Sequence, residues 1–222
     1  FFAISGFVVT AALAQHGSER LGSFIAGFYR RRLARIAPAL LVVLLATALA
    51  WVLLVPRSWL SNDAERVGLY AFAGLSNWAL GTQSDAYFAP RAEFNPFTHT
   101  WSLGVEEQFY LVAPWLIFAA WRWRRASLAL LGVLCALSLA LCALWTFSQP
   151  TQAFYNLASR FWELGAGALW YLVIWHRKTD GAPEGARPGR ALWPWAGLAL
   201  LVATMVLARP QFSPFPWALG AI

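Results

Sequence analysis

The sequence predicts an all-α protein, a polytopic bundle of transmembrane helices. Hydrophobic residues make up 59% of the 222 residues and charged residues only 12%, whereas about a quarter of the residues in an ordinary soluble domain are charged. The apolar residues form long unbroken runs, which favours membrane helices over the short alternating strands of a β-barrel. The 14 tryptophans and 16 phenylalanines fit this class, because aromatic side chains gather at membrane–water interfaces.

Both ends of the sequence lie inside apolar runs. The chain begins at Phe1 without an initiator methionine, and its one methionine is Met205. The last apolar run occupies residues 218–222. We therefore expect residues 1–222 to be a partial transmembrane domain, an internal piece of a longer protein that is truncated at both ends.

The predicted helices follow one another along the chain, and about twenty apolar residues are enough for one to cross a bilayer. Ser5 and Gly6 in the first segment would allow close helix packing, and Pro38 would lie in the first turn of the second, where proline is tolerated. Residues 15–29 read as a polar connection and residues 81–96 as a loop rich in turn-forming residues. The predicted apolar segments are 1–13, 36–55, 67–80, a run that follows residues 99–111 and ends at 121, 127–147, 153–175 and 192–208.

Three basic clusters, at residues 30–35, 122–125 and 177–190, predict the topology, since arginine and lysine favour the cytoplasmic side. The net charge of +7 is therefore assigned to cytoplasmic loops, and no nucleic-acid partner is expected. Clusters on the same side of the membrane must be separated by an even number of crossings. Two apolar segments separate the second cluster from the third, which is consistent with this rule. Three segments separate the first cluster from the second, which is not. We expect the short segment 67–80 to be re-entrant. The alternative is a full crossing, with one arginine cluster on the other side.

The most polar stretch between apolar segments is residues 99–111. In a helix His99, Ser102, Glu106 and Tyr110 would share one face, with Glu107 on another side. Such a density of polar groups in a membrane protein indicates a function. His99 with Glu106 is the best acid/base candidate, because histidine changes charge near neutral pH and a carboxylate can orient it.

The alternative explanation for this stretch is a helix start. Ser102 would be the N-cap, with Glu106 and Glu107 in the first turns, where carboxylates suit the helix dipole. This explanation leaves His99 without a role.

A second polar face lies in the predicted segment 153–175. Arg160 and Glu163 are three residues apart and can form an ion pair, because each is costly at membrane depth without a partner. The pair either fixes the register of the helices or forms one wall of a polar cavity, and the two interpretations are compatible. The residues predicted to share this face are Asn156, Ser159, Arg160, Glu163 and Gly167.

Two further groups have a chemical interpretation. Arg32 and Arg35 are three residues apart in the first basic cluster. The cluster can be explained as a topology signal alone, but the two guanidinium groups could also bind one phosphorylated ligand together. Cys135 and Cys142 lie seven apart in one apolar run, so we expect free thiols, with no disulfide and no metal site.

Five motifs of the sequence resemble, in the same order, motifs of the acyltransferase-3 family of membrane acyltransferases. The longest, at 95–110, reads NPFTHTWSLGVEEQFY and is very specific. The stretches around Asn95 and Trp162 are most similar to the bacterial branch that modifies surface polysaccharides, often with an SGNH-type domain after the membrane part. The matching motifs are residues 1–7, 28–38, 76–78, 95–110 and 159–164.

The resemblance implies an O-acyltransferase of the bacterial inner membrane, with several crossings. Such an enzyme takes an acyl group, commonly acetyl from acetyl-CoA, to a hydroxyl of an envelope glycan such as lipopolysaccharide O-antigen or peptidoglycan. It implies acyl-CoA as donor substrate, a glycan acceptor, a lipid bilayer around the protein and no permanently bound cofactor.

The resemblance also implies roles for individual residues. Arg32 and Arg35 would match the family's cytoplasmic arginine pair, a site for the phosphates of coenzyme A. His99, Ser102 and Glu106 would lie in the core motif, with Arg160 and Glu163 in the later one. The family's main catalytic histidine lies in a helix before Phe1, so residues 1–222 alone are expected to be inactive.

The alternative function is a transporter or flippase for an acyl or glycolipid substrate, with the buried polar residues lining its pathway. Transporters often contain internal repeats with broken helices. The sequence has no second copy of the His99 motif, which weighs weakly against this alternative.

Overall fold

The computed structural model describes residues 1–15, 20–56, 62–82 and 95–179. These residues are largely helical and contain no strand, which confirms the all-α class. The predicted segment 192–208 lies outside them. The α-helices in these ranges are α1 (Phe2–Gln15), α2 (Leu21–Leu54), α3 (Asn62–Phe72), α4 (Ser76–Gly81), α5 (Trp101–Arg122), α6 (Arg124–Ser148), α7 (Pro150–Tyr155) and α8 (Leu157–Thr179).

Two of the described helices, α2 and α6, are long and apolar enough to cross a membrane, as expected of a helical membrane protein. Helix α2 begins at Leu21, so the prediction of a polar connection up to residue 29 is wrong. The reason is that Phe24 and Phe28, four residues apart, are both buried and give this polar stretch an apolar helical stripe. Pro38 consequently lies well inside α2, and not in its first turn.

Contacts divide the chain into two compact units, and residues 12–124 with 155–157 form one of them. In this unit the predicted segment 67–80 is broken at Gly74, which has φ +69°. The Gly74 N–H donates to the Ala71 carbonyl (3.1 Å) and the Leu75 N–H to the Tyr70 carbonyl (2.8 Å). This pair of bonds is the Schellman motif, which ends a helix at a left-handed glycine.

The break makes two short helices of 11 and 6 residues, α3 and α4. At a rise of about 1.5 Å per residue they are about 16 and 9 Å long, while the hydrocarbon core of a bilayer is about 30 Å thick. Neither helix is long enough to cross alone. The re-entrant topology stays a prediction, and short broken helices are what it requires.

Helix α5 lies very close to this break. A Cβ atom on Gly104 would be 2.9 Å from both the Asn77 Oδ1 and the Gly74 carbonyl oxygen, so the glycine allows the close approach. The buried Asn77 side chain then links three segments. Its Nδ2 donates to the Tyr155 carbonyl (3.1 Å), and its Oδ1 accepts a hydrogen bond from Gln108 Nε2 (2.7 Å). These bonds hold α5 against α4.

Of the described residues, 1–11, 125–154 and 158–179 form the second unit. Its helices α1 and α8 meet at two glycines. A Cβ atom on Gly6 would collide with the Leu164 carbonyl, and one on Gly167 with the Ala3 carbonyl. This confirms the close helix packing predicted at Gly6.

The start of α8 is joined to α6 by Ser138. The Ser138 hydroxyl donates to the Ala158 carbonyl (2.6 Å) and accepts from the Trp162 N–H (3.1 Å), two backbone groups that are four residues apart. The predicted single helix 153–175 is divided into α7 and α8, with Asn156 between them. The two cysteines of α6 are free thiols.

Candidate functional site

A cavity of about 400 Å³ lies in the unit formed by residues 12–124 with 155–157. It is surrounded by α2, the end of α3 and α5, and its volume falls in the range of about 300–1,000 Å³ that is usual for ligand sites. Arg32 and Glu107 are the charged residues of its lining. The larger apolar side chains of its wall belong to Leu33, Ile36, Leu40, Leu41, Phe72 and Leu111.

Two aromatic rings hold the Arg32 side chain at this cavity. Its guanidinium carbon lies 4.9 Å from the ring centroid of Tyr110 and 5.6 Å from that of Phe28, distances typical of cation–π contacts. The Tyr29 hydroxyl donates to the carbonyls of Tyr110 and Leu111, both at 3.2 Å, and so ties α2 to α5. Among the described residues Arg32 has these ring contacts but neither a hydrogen bond nor an ion pair, so its donors are available to a ligand.

Glu107 is the cavity residue that the sequence analysis missed. Helical geometry correctly placed it on a different side of α5 from Glu106, but the cavity lies on the side of Glu107. The half-buried carboxylate packs on Gly74, where a Cβ atom would collide with Glu107 Oε2. A glycine that follows an apolar helical run often ends the helix, so Gly74 was the signal that could have located this break and its neighbours.

Glu106 and Tyr110 are brought together as their spacing predicted. The Tyr110 hydroxyl donates to Glu106 Oε2 at 3.0 Å, and Glu106 is only 7% exposed. The other carboxylate oxygen, Oε1, is buried and has no hydrogen-bond partner among the described residues. A buried acceptor without a partner costs about 1–3 kcal/mol, which is consistent with a group retained for function.

His99 is not brought to Glu106. It lies in the 3-10 turn Thr98–Thr100 and is exposed, and no hydrogen bond or ion pair joins the two side chains in the described structure. A 3-10 helix has 3.0 residues per turn and not 3.6, so the angular spacing expected for a continuous helix does not hold. The predicted acid/base pair is therefore absent from this conformation.

Ser102 is half-buried near the start of α5. The residue before the helix is Thr100, which makes no side-chain cap hydrogen bond. The alternative explanation, with Ser102 as the N-cap, is therefore wrong, since Ser102 is already inside the helix.

The two arginines expected to bind one phosphate together differ in position. Arg32 lines the cavity, whereas Arg35 is exposed and does not line it. Joint binding stays a prediction, and it requires a ligand that extends from the cavity to the protein surface.

The predicted ion pair in the other unit is confirmed. Arg160 Nη1 lies 2.6 Å from Glu163 Oε1, and their side chains are 8% and 11% exposed. Arg160 Nε also donates to the Phe154 carbonyl at 3.1 Å. Both charges are compensated within the protein, which favours the structural interpretation of the pair.

The remaining two polar residues predicted for this face are Ser159 and Asn156. Ser159 is buried, and its hydroxyl donates to the Ala153 carbonyl at 2.9 Å. Asn156 precedes α8 and belongs to the unit of residues 12–124 with 155–157.

Comparison with known proteins agrees with this architecture. The family described as "Acyltransferase domain" matches residues 1–221. A Komagataeibacter xylinus protein, named as a candidate membrane-bound transacylase, BcsY, is 36% identical over 178 residues, which cover 78% of this chain and 43% of that protein. The peptidoglycan O-acetyltransferase OatA of Listeria monocytogenes is 24% identical over 231 residues, which cover 100% of this chain and 36% of that protein.

A third relative, the O-acetyltransferase OatA of Staphylococcus aureus, is 33% identical over 117 residues, which cover 53% of this chain and 19% of that protein. The chain thus spans less than half the length of these three relatives. No solved structure matches it. Because the family match extends over residues 1–221, the chain belongs to the acyltransferase-3 family.

Proposed function

We propose that the protein, at its full length, is a membrane O-acyltransferase that moves an acetyl group from acetyl-CoA to a hydroxyl of a cell-envelope glycan. Family membership supports acyl transfer. The name of the Listeria relative supports O-acetylation, with peptidoglycan as the acceptor of that protein. The acceptor proposed here is an envelope glycan such as peptidoglycan or lipopolysaccharide O-antigen. Because this chain spans only 36% of that relative, the proposal concerns the complete protein in the bacterial inner membrane.

The observation that carries the proposal is the position of Arg32 at an apolar cavity. Its guanidinium group is held between two rings, and a guanidinium binds phosphate through paired hydrogen bonds. Acetyl-CoA combines phosphates with a long, mostly uncharged arm. In the proposed arrangement a phosphate of the donor binds Arg32, and the arm enters the apolar cavity.

Arg32 and Arg35 provide the sharpest test, because one lines the cavity and the other does not. We expect Arg32→Ala to raise the apparent KM for acetyl-CoA by about tenfold or more, the effect of losing one charge-assisted hydrogen bond. Arg35→Ala is expected to have a smaller effect. The assay follows radiolabel from acetyl-CoA into envelope glycan, in membranes that contain the full-length protein.

Two outcomes would contradict the proposal. An unchanged KM in Arg32→Ala would show that the donor does not bind at this cavity. No labelling by the wild-type protein, with several glycans tried, would argue against acyl transfer to a glycan and for the transporter alternative.

The acid/base roles of His99 and Glu106 are part of the same proposal. Glu106 has a buried oxygen without a hydrogen-bond partner among the described residues, and His99 is accessible at the surface, so each is available to a further group. Transfer that is lost in a well-folded His99→Ala variant would support a catalytic role. Transfer that survives would reduce His99 to a structural residue.

A further inference from the structure

The Glu107 carboxylate lines the same cavity as Arg32, and the proposed function does not yet use it. Among the described residues Glu107 makes neither a hydrogen bond nor an ion pair. A carboxylate that is partly removed from water without a partner is unfavourable. A ligand that brings a hydrogen-bond donor into the cavity would remove this cost.

The backbone around Glu107 is arranged to leave space for its carboxylate. Gly74 lies across from it with φ +69°, a backbone conformation that residues with a side chain rarely adopt,. Any Cβ atom at this position would collide with Glu107 Oε2. The left-handed glycine that ends α3 therefore also leaves room for an acidic group at the wall of the cavity.

The two charges of the cavity have different preferences for a ligand. Arg32 attracts a phosphate, while Glu107 repels a phosphate and attracts a donor N–H or O–H group. A free phosphate compound satisfies only the arginine. A ligand that carries a phosphate followed by hydrogen-bond donors on a mostly apolar chain satisfies both residues and the apolar wall.

Acyl-CoA has this chemistry, because its diphosphate is followed by the pantetheine arm, with methyl groups, one hydroxyl and two amide N–H groups. We propose that Glu107 binds this arm by accepting a hydrogen bond from its hydroxyl or from an amide N–H. Glu107 is then a specificity residue that distinguishes acyl-CoA from phosphate compounds without the arm. The inference rests on the proposed use of acetyl-CoA as donor.

The experiment compares two probes on the purified full-length protein in lipid nanodiscs. Acetyl-CoA carries both phosphates and arm, whereas adenosine 3′,5′-bisphosphate carries phosphates without the arm. We expect Glu107→Ala to raise the Kd for acetyl-CoA by about tenfold and to leave the Kd for the bisphosphate unchanged or lower it. Glu107→Gln keeps an acceptor oxygen but loses the charge, so its Kd for acetyl-CoA is expected to lie between those of the wild type and Glu107→Ala.

Glu65→Gln is the matched control, since Glu65 is exposed in α3 and does not line the cavity. It is expected to leave both Kd values unchanged. The inference is overturned if Glu107→Ala weakens both probes equally, or weakens neither, while the variant keeps the wild-type thermal midpoint. A wild-type protein that binds no acetyl-CoA would instead reject the donor in the proposed function, which separates the two failures.

Discussion

The ion pair between Arg160 and Glu163 shows how much a single side chain can matter in this protein. Both side chains are almost fully buried, so removal of the carboxylate takes the ion-pair partner away from a buried guanidinium group. We expect Glu163→Ala to destabilise the fold by about 3–5 kcal/mol, as is usual when one partner of a buried pair is removed. The thermal midpoint in detergent measures this, with Glu65→Ala as an exposed control. A midpoint equal to that of the wild type would refute the importance of the pair.

At the scale of residues, sequence reasoning succeeded where one regular helix carries both partners. Arg160 and Glu163 lie in α8 at a spacing of three, and the structure joins them. The pairing of His99 with Glu106 failed because a 3-10 turn precedes α5. Glu107 was missed because its importance depends on Gly74, which is 33 positions away in the sequence. Such a long-range contact leaves no periodic pattern.

Among the elements, the break between α3 and α4 has the clearest consequence. Gly74→Ala places a Cβ atom at a left-handed residue and against the Glu107 carboxylate. We expect a loss of stability of about 1–3 kcal/mol, the usual cost of a strained backbone position. Thermal unfolding in detergent measures it.

Gly22→Ala is the control for this substitution. Gly22 lies in α2, and a Cβ atom there would meet nothing within 4 Å. Because alanine favours a helix more than glycine does, this variant is expected to be at least as stable as the wild type. Equal effects of the two substitutions would show that the left-handed conformation of Gly74 is not important.

The helices themselves were largely predictable, and their interruptions were not. Apolar runs located the cores of α2, α5 and α6, because burial in a bilayer requires them. The break at Gly74 is accompanied by local backbone hydrogen bonds. Before the break at Asn156, the Ala153 and Phe154 carbonyls accept hydrogen bonds from the Ser159 and Arg160 side chains. The early start of α2 depends on two buried phenylalanines within a polar stretch, a tertiary effect that overrides composition.

For the whole molecule, the topology is the property that can be tested most directly. If the basic clusters are cytoplasmic and the segment of α3 and α4 is re-entrant, residue 83 faces the outside. We expect Gln83→Cys, in a background with Cys135→Ala and Cys142→Ala, to react with an impermeant thiol reagent in intact cells. Arg125→Cys, in the second basic cluster, is the control and is expected to react only after permeabilisation. Labelling of Gln83→Cys only from the inside would overturn the topology.

The family could be recognised from the sequence because several motifs occur together and in order, and the match over residues 1–221 bears this out. The acceptor of the proposed reaction could not be predicted in the same way. Acceptor recognition depends on the shape of a surface, and no single motif of this chain describes that shape.

The walls of the cavity also bear on pharmacology. Leu33, Leu41 and Leu111 line it and are themselves exposed, and in a membrane protein such surface contacts lipid. A lipophilic inhibitor would therefore reach the cavity by partitioning into the bilayer first. Its apparent potency would depend on the ratio of lipid to protein in the assay, and dilution with buffer alone would change its inhibition far less than dilution with empty vesicles.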